Sequence, residues 1–224
     1  MAIERVHGLG EVYSRCKMTI LPHINQYANL NAVFFKLSEQ EYSFLSKVSD
    51  DIFLNGVSSL TCYSNHLASH ITHQYELNDE VTGFIEKLLS PVVEEYVKRY
   101  ASEIYLSIDN LTLFNKYNSC WINFQKKHEF HPLHHHHGIF SFVIWIKIPY
   151  TISNQSNQKC ETAPEGDFHF ILKDDNGLSP IPLNADVSWE GRGVLFNSNL
   201  PHIVYPFYTS DDVRVTISGN FKVK

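Results

Sequence analysis

The sequence predicts an α+β fold, with helices concentrated in the N-terminal half and a sandwich of strands in the C-terminal half. Three observations predict it. Apolar residues keep helical spacing from Val81 to Tyr100, and from about Asn118 the period changes to that of strands. Aromatic residues make up 13% of the chain, with 15 Phe and 12 Tyr, which suits a sheet-rich interior. At 224 residues the chain is long enough for one substantial core, and no internal repeat divides it. A single domain over 1–224 is expected, with N-terminal strands and supporting helices in 1–117 and the strand-rich core in 118–224.

Each element follows from its local pattern. The first ~35 residues alternate apolar and polar around Pro22 and are expected to add strands to the sheet or to lie along it. Ser38-x-x-Glu41 is a capping box ahead of Tyr42, Leu45, Val48 and Ile52, which marks a short helix. In the long helix Val81, Phe84, Ile85, Leu88, Leu89, Val92, Val93, Tyr96, Val97 and Tyr100 form one face. Glu94 and Glu95 stand four residues before Lys98 and Arg99, and Pro91 should kink the helix. Such a helix packs along a sheet more often than it binds a partner. Cys120–Phe124, Ile139–Ile148, Asp167–Leu172, Val194–Phe196 and Val213–Val223 read as strands, separated by loops that include the segment KDDNGLSP and the long stretch from Asn154 to Gly166. A loop of that length at the open end of a sandwich is a place for lids and substrate contacts.

Charge and cysteine usage narrow the class. A net charge of −6 and a pI near 6.1 leave no basic footprint for a dedicated nucleic-acid partner, though local basic patches stay open. The cysteines at 16, 62, 120 and 160 form no C-x-x-C pair, and the opening residues do not read as a signal peptide. Reduced thiols in a cytoplasmic compartment are therefore expected. The longest apolar run, Ile139–Ile148, is interrupted by Ser141 and Lys147, so no membrane partner is expected.

The most informative stretch is Trp121–Tyr150, where four consecutive histidines, His134 to His137, end at Gly138 ahead of an apolar strand. Residues i and i+2 of a strand share a face, so either His134 with His136 or His135 with His137 could grip one metal ion. A tag does not explain a run placed mid-chain after Pro132. Adventitious binding by an exposed loop does not explain the C-terminal half, where a lone His202 follows an apolar strand and Arg214 and Thr216 share a face of another. An imidazole and a fork-shaped guanidinium on neighbouring strands can hold a metal and a carboxylate ligand side by side.

Trp121-x-Asn123, His134-x-His136-x-Gly138, the distal His202 and Arg214-x-Thr216 together resemble the 2-oxoglutarate- and Fe(II)-dependent oxygenases, in particular a group from phage and marine microbial genomes. The resemblance covers about residues 118–222. It implies a double-stranded β-helix, or jelly roll, whose mouth holds iron, and it implies Fe(II) and 2-oxoglutarate as cofactors. By the same resemblance His134, His136 and His202 ligate the metal. Arg214, 12 residues beyond His202, binds the far carboxylate of 2-oxoglutarate with Thr216. A target C–H bond would be hydroxylated with release of succinate and CO2. The expected substrate is a small molecule or peptide, and the expected location is the cytoplasm of the producing cell or of an infected host.

One position departs from the family pattern. Most members carry Asp or Glu where this chain has His136, and no acidic residue lies between Glu129 and Glu161. Three neutral imidazoles still suit Fe(II) but leave its charge unbalanced, which should favour an anionic co-ligand. Asp167 is the alternative source of a carboxylate. Asn123 is a candidate to hydrogen-bond the cosubstrate; Tyr150 reads as an ordinary rim residue, with contact to a carboxylate the alternative, whereas Trp121 reads as a core aromatic. His66, His70 and His73 read as surface or core histidines, and His128, His131 and His169 as residues of the mouth or of the shell behind the ligands. Two other readings stay open: a cupin-like three-His dioxygenase or isomerase that does not use 2-oxoglutarate, and a non-catalytic jelly roll of the binding or virion kind.

Overall fold

Strand alternation sorts the sequence into two apolar cores and one polar face. A computed structural model describes residues 18–22, 27, 30–55, 69–100, 108–114, 120–155, 166–175 and 177–224. The larger sheet has eight strands. Seven run in the order β1 (Thr19–Ile20), β2 (Ala32–Lys36), β10 (Arg192–Asn197), β7 (Phe140–Lys147), β12 (Arg214–Val223), β5 (Cys120–Gln125) and β3 (Gln74–Glu76), and β4 (Leu111–Thr112) pairs with the far end of β12. A smaller sheet has the order β6 (His131–His134), β11 (His202–Val204), β8 (Phe168–Asp174) and β9 (Gly177–Pro182).

One face of the larger sheet carries the helices. Helix α1 (Glu39–Asn55) opens with the expected capping box: Ser38 N donates to Glu41 Oε2 at 2.6 Å, and Glu41 N donates to Ser38 Oγ at 3.3 Å. Helix α2 (Asp79–Tyr100) buries Val81, Phe84, Ile85, Leu88, Leu89, Val92, Val93 and Tyr96, against Val33, Phe35, Ile122, Phe124, Phe142, Ile144, Leu195, Val215 and Ile217 of the sheet. It runs across Pro91 as one unbroken helix, with Pro91 on its exposed side. The opposite sheet face supplies Phe34, Val143, Trp145, Val194 and Phe196 to a second core, closed by Phe168 and Phe170 of the smaller sheet. On β5 and β12 that same inner face is polar: Trp121, Asn123 and Gln125 alternate with Cys120, Ile122 and Phe124, and Arg214, Thr216 and Ser218 alternate with Val215 and Ile217. The site sits on this polar face.

Several strands depart from the sequence reading. β9 begins within the segment expected to be loop, KDDNGLSP; it is an edge strand whose residues are exposed or half-buried, with Leu178 69% exposed and Ile181 alone packed against the second core, so it shows little alternation to read. β3, β4, β6 and β11 have two to four residues each, too few to display a period. The histidine run does not lead directly into β7. His134 closes β6 in the smaller sheet, and the chain crosses to the larger sheet before β7 begins at Phe140. Cys120 is buried. Cys16, Cys62, Cys160, His66 and residues 156–165 of the long loop lie outside the described residues, and Ile152–Gln155 at its start form a short helix, α3. Among the described residues no helix is long and apolar enough to cross a membrane.

Candidate active site

Register brings three of the candidate histidines together. His202 on β11 is the cross-strand partner of His134 on β6, and directly opposed residues of an antiparallel pair project to the same side. The chain then turns so that His136 N donates to Ser198 O at 2.9 Å, which returns the His136 ring to the same spot. One donor atom from each of His134, His136 and His202 lies within 4.8 Å of the others. The ring centroids are 4.3 Å apart for His134 and His202, 5.1 Å for His136 and His202, and 5.0 Å for His134 and His136. His135 and His137 are exposed, so the structure gathers His134 and His136 with His202 and leaves the alternate register outside.

The donor chemistry fits a divalent metal. His134 Nδ1 lies 2.6 Å from Pro132 O, and His202 Nδ1 lies 2.9 Å from Leu200 O. A carbonyl only accepts, so each Nδ1 must carry the proton, and each Nε2 is left with a free lone pair. His202 also stacks on Phe168, with centroids 5.3 Å apart and planes 12° apart, which limits its rotation. Burial depresses all three ionisations. His134 is held below the usual histidine range by desolvation, opposed by its carbonyl hydrogen bond; His136 is pushed down to about 3 by burial and by its histidine neighbours; His202 falls well below 6.5 for the same reasons. These are neutral ligands, ready for a cation. Asp167 is not gathered with them: its carboxylate accepts from Phe168 N, Asn184 N and Ala185 N and lies 3.1 Å from His169 Nε2.

A cavity of about 250 Å³ joins these histidines to Arg214. None of its lining residues among those described is acidic. Arg214 is 3% exposed, and its guanidinium donates Nε to Gln125 Oε1 at 3.1 Å, Nη2 to the same oxygen, and Nη1 to Tyr150 OH at 2.6 Å and to Gly166 O. Four of its five N–H groups thus meet acceptors among the described residues, and one, on Nη2, meets none of them. No ion pair balances Arg214 among the described residues. A buried guanidinium surrounded only by neutral acceptors is a costly arrangement that an incoming anion would relieve. Thr216, two residues along the same face of β12, accepts from Asn123 Nδ2 at 3.0 Å and also lines the cavity.

Residues 119–220 match the family model described as Putative 2OG-Fe(II) oxygenase. Over these residues, the strand-rich part of the chain, it is similar to the 2OG-Fe(II) oxygenases. The match marks an oxidoreductase with Fe(II) and 2-oxoglutarate as its cofactors, and the three imidazoles above are a donor set able to hold that metal. Among solved structures, a prolyl-4-hydroxylase from Pseudomonas putida aligns at 11% identity over 89% of this chain and 96% of its own, with a TM-score of 0.53, and the shared fold is a double-stranded β-helix. An oxidoreductase of the 2OG-Fe(II) oxygenase family from Burkholderia pseudomallei aligns at 11% identity over 92% of this chain and 85% of its own, with a TM-score of 0.46. No curated protein matches the sequence.

The remaining candidates divide between the places expected of them and others. Tyr150 is not a rim residue: it is buried, its hydroxyl donates to Gly166 O and accepts from Arg214, and it braces the guanidinium from behind. Trp121, read as a core aromatic, lines the cavity with its ring centroid 5.8 Å from that of His136. Asn123 lines the cavity too, but its amide is already committed to Thr216 and, through Oδ1, to Gln74 Nε2 at 2.7 Å. Lys147 pairs with Asp212 at 2.6 Å. His131 lines the cavity beside His134, His169 pairs with Asp167, and His128 packs on Tyr208. His70 stacks on Phe130, and His73 contacts Thr72. Sequence reasoning missed Gln125 and Gln74. Gln125 was findable as the residue two beyond Asn123 on the same strand face; Gln74 stands on a three-residue strand with no pattern to betray it.

Proposed function

We propose that this oxygenase hydroxylates a C–H bond of a small molecule or of a peptide side chain. In the balanced reaction substrate, O2 and 2-oxoglutarate give hydroxylated substrate, succinate and CO2. His134, His136 and His202 would hold the iron. The bound Fe(II) and 2-oxoglutarate supply the oxidising chemistry. Arg214, through its remaining Nη2 N–H, and Thr216, through its hydroxyl, bind the distal carboxylate, while Gln125 and Tyr150 keep the guanidinium aimed. Trp145, Phe168 and Phe196 wall the cavity, exclude water and press the substrate toward the metal.

The observation that carries this reading is that the three-imidazole cluster and a buried, uncompensated Arg214 face one cavity. A cupin-like enzyme that binds its substrate directly to the metal has less use for that arginine, and a non-catalytic jelly roll has no use for either feature. The volume, about 250 Å³, suits the cosubstrate and a small target group. The test is succinate formation from 2-oxoglutarate under air with added Fe(II), screened against amino acids, peptides and nucleic acids. Wild type should yield succinate in step with a hydroxylated product. Arg214→Lys should raise the Michaelis constant for 2-oxoglutarate by a factor equivalent to about 1.5–3 kcal/mol, because a point charge replaces a held fork. Equal loss of iron and cosubstrate binding in that variant would assign Arg214 to structure instead.

A further inference from the structure

We infer that Gln74 and Asn123 form a polar relay that fixes Thr216 as a hydrogen-bond donor into the cavity, and so tunes the site for a cosubstrate with an anionic tail. This rests on reading Arg214 and Thr216 as the distal-carboxylate site.

The relay crosses three adjacent strands in register. Gln74 on β3 is the Cα partner of Asn123 on β5, and Asn123 is the partner of Thr216 on β12, so all three project from the same sheet face. Gln74 Nε2 donates to Asn123 Oδ1 at 2.7 Å, and Asn123 Nδ2 donates to Thr216 Oγ1 at 3.0 Å. Every link runs in one direction. A threonine hydroxyl has one proton, and an oxygen already accepting from Asn123 has no use for that proton in the wall. It is free to turn into the cavity, which Arg214 also lines.

The far end of the relay argues that it serves function rather than folding. Gln74 is wholly buried, does not line the cavity, and its Oε1 has no partner. A buried polar atom without a partner weakens a fold, and packing alone gives no reason to keep one here. The opposite polarity would leave both hydrogens of Gln74 Nε2 unpaired and would spend the Thr216 proton on Asn123. The direction shown is the one that keeps a donor for an anion. A neighbour two strands away from the ligand thereby sets what the ligand meets.

The experiment is anaerobic titration calorimetry of the Fe(II)-loaded chain with two 2-oxo acids: 2-oxoglutarate, and 2-oxopentanoate, which has no distal carboxylate. In its ionised form, at a pH well above the carboxylate range, Gln74→Glu can only accept, so Asn123 must turn its Nδ2 toward position 74 and its Oδ1 toward Thr216, which draws the threonine proton out of the cavity. Affinity for 2-oxoglutarate should fall on the order of tenfold, the loss of one hydrogen bond to a charged group. Affinity for 2-oxopentanoate should not change. Asn123→Asp reverses the relay at its middle link and should show the same selective loss if the Gln74→Glu chain does not fold. Gln74→Leu removes the donor to Asn123 Oδ1 without reversing the link and should lose less affinity than Gln74→Glu. Unchanged 2-oxoglutarate binding in both reversed variants, or equal loss of both acids, would overturn the relay. Thr216→Val separates the two claims. If it leaves 2-oxoglutarate affinity intact, the carboxylate site is misassigned and the relay falls with it; if it weakens binding while the reversed variants do not, the relay alone is wrong.

Discussion

At the scale of single residues, His136 shows how the site keeps an imidazole neutral and available to a metal. It is flanked by three other histidines in the run and inserted beside His202 and Trp121, so protonation is opposed both by desolvation and by neighbouring rings. The consequence for stability has a definite sign. In the unfolded chain each of these histidines ionises near 6.5, whereas in the folded, metal-free chain His134, His136 and His202 ionise lower, His136 at about 3. Below pH 6.5 the unfolded state therefore binds more protons. The full contribution is present above pH 6.5 and is lost as pH falls toward 3, at most about 1.4 kcal/mol per pH unit for each such histidine. Urea unfolding of the metal-free chain at pH 7.5 and 5.5 should show the lower pH less stable, and replacing His136 with Asn should flatten the difference. Equal stability at both pH values would mean that the rings are solvated. The ligands themselves were legible in sequence because alternation and order carry them: His134-x-His136, then His202, then Arg214-x-Thr216. Gln125 and Tyr150 were not legible as guanidinium braces, because that role depends on Arg214 bending toward β5 and Gly166, which spacing does not reveal.

At the scale of elements, periodicity recovered what had enough residues to display it. α2, β5, β7 and β12 emerged with boundaries within one or two residues because each buries one full face. β9 was hidden by two-sided exposure, and β11 by brevity, although β11 carries His202. One close contact shows how tightly the sheet and helices are fitted. A Cβ on Gly193 of β10 would lie 2.3 Å from Phe35 Cζ on the register partner in β2, inside the helix-facing core. Phe35 is fully buried and cannot swing away cheaply. Gly193→Ala should cost about 1–3 kcal/mol by urea denaturation, and Phe35→Leu in the same chain should recover part of it. A neutral Gly193→Ala would mean that the ring has room to move.

At the scale of the whole molecule, the helices make one face of the larger sheet rigid so that its other face can be polar. Burying the apolar side of β5 and β12 under α1 and α2 frees Trp121, Asn123, Gln125, Arg214 and Thr216 to line a cavity, while the smaller sheet delivers His134 and His202 from across the sandwich. Neither half of the site is complete on one sheet. Held by three neutral imidazoles, Fe(II) would need the cosubstrate to balance its charge, and Arg214, which has no ion pair among the described residues, favours the same dianion, so the two should bind cooperatively and reciprocally. Anaerobic calorimetry of Fe(II) binding with and without 2-oxoglutarate, in wild type and in His202→Ala, tests this directly. One Fe(II) per chain, bound more tightly when 2-oxoglutarate is present and lost in His202→Ala, is the predicted result; tight binding retained in His202→Ala, or iron affinity indifferent to 2-oxoglutarate, would contradict it.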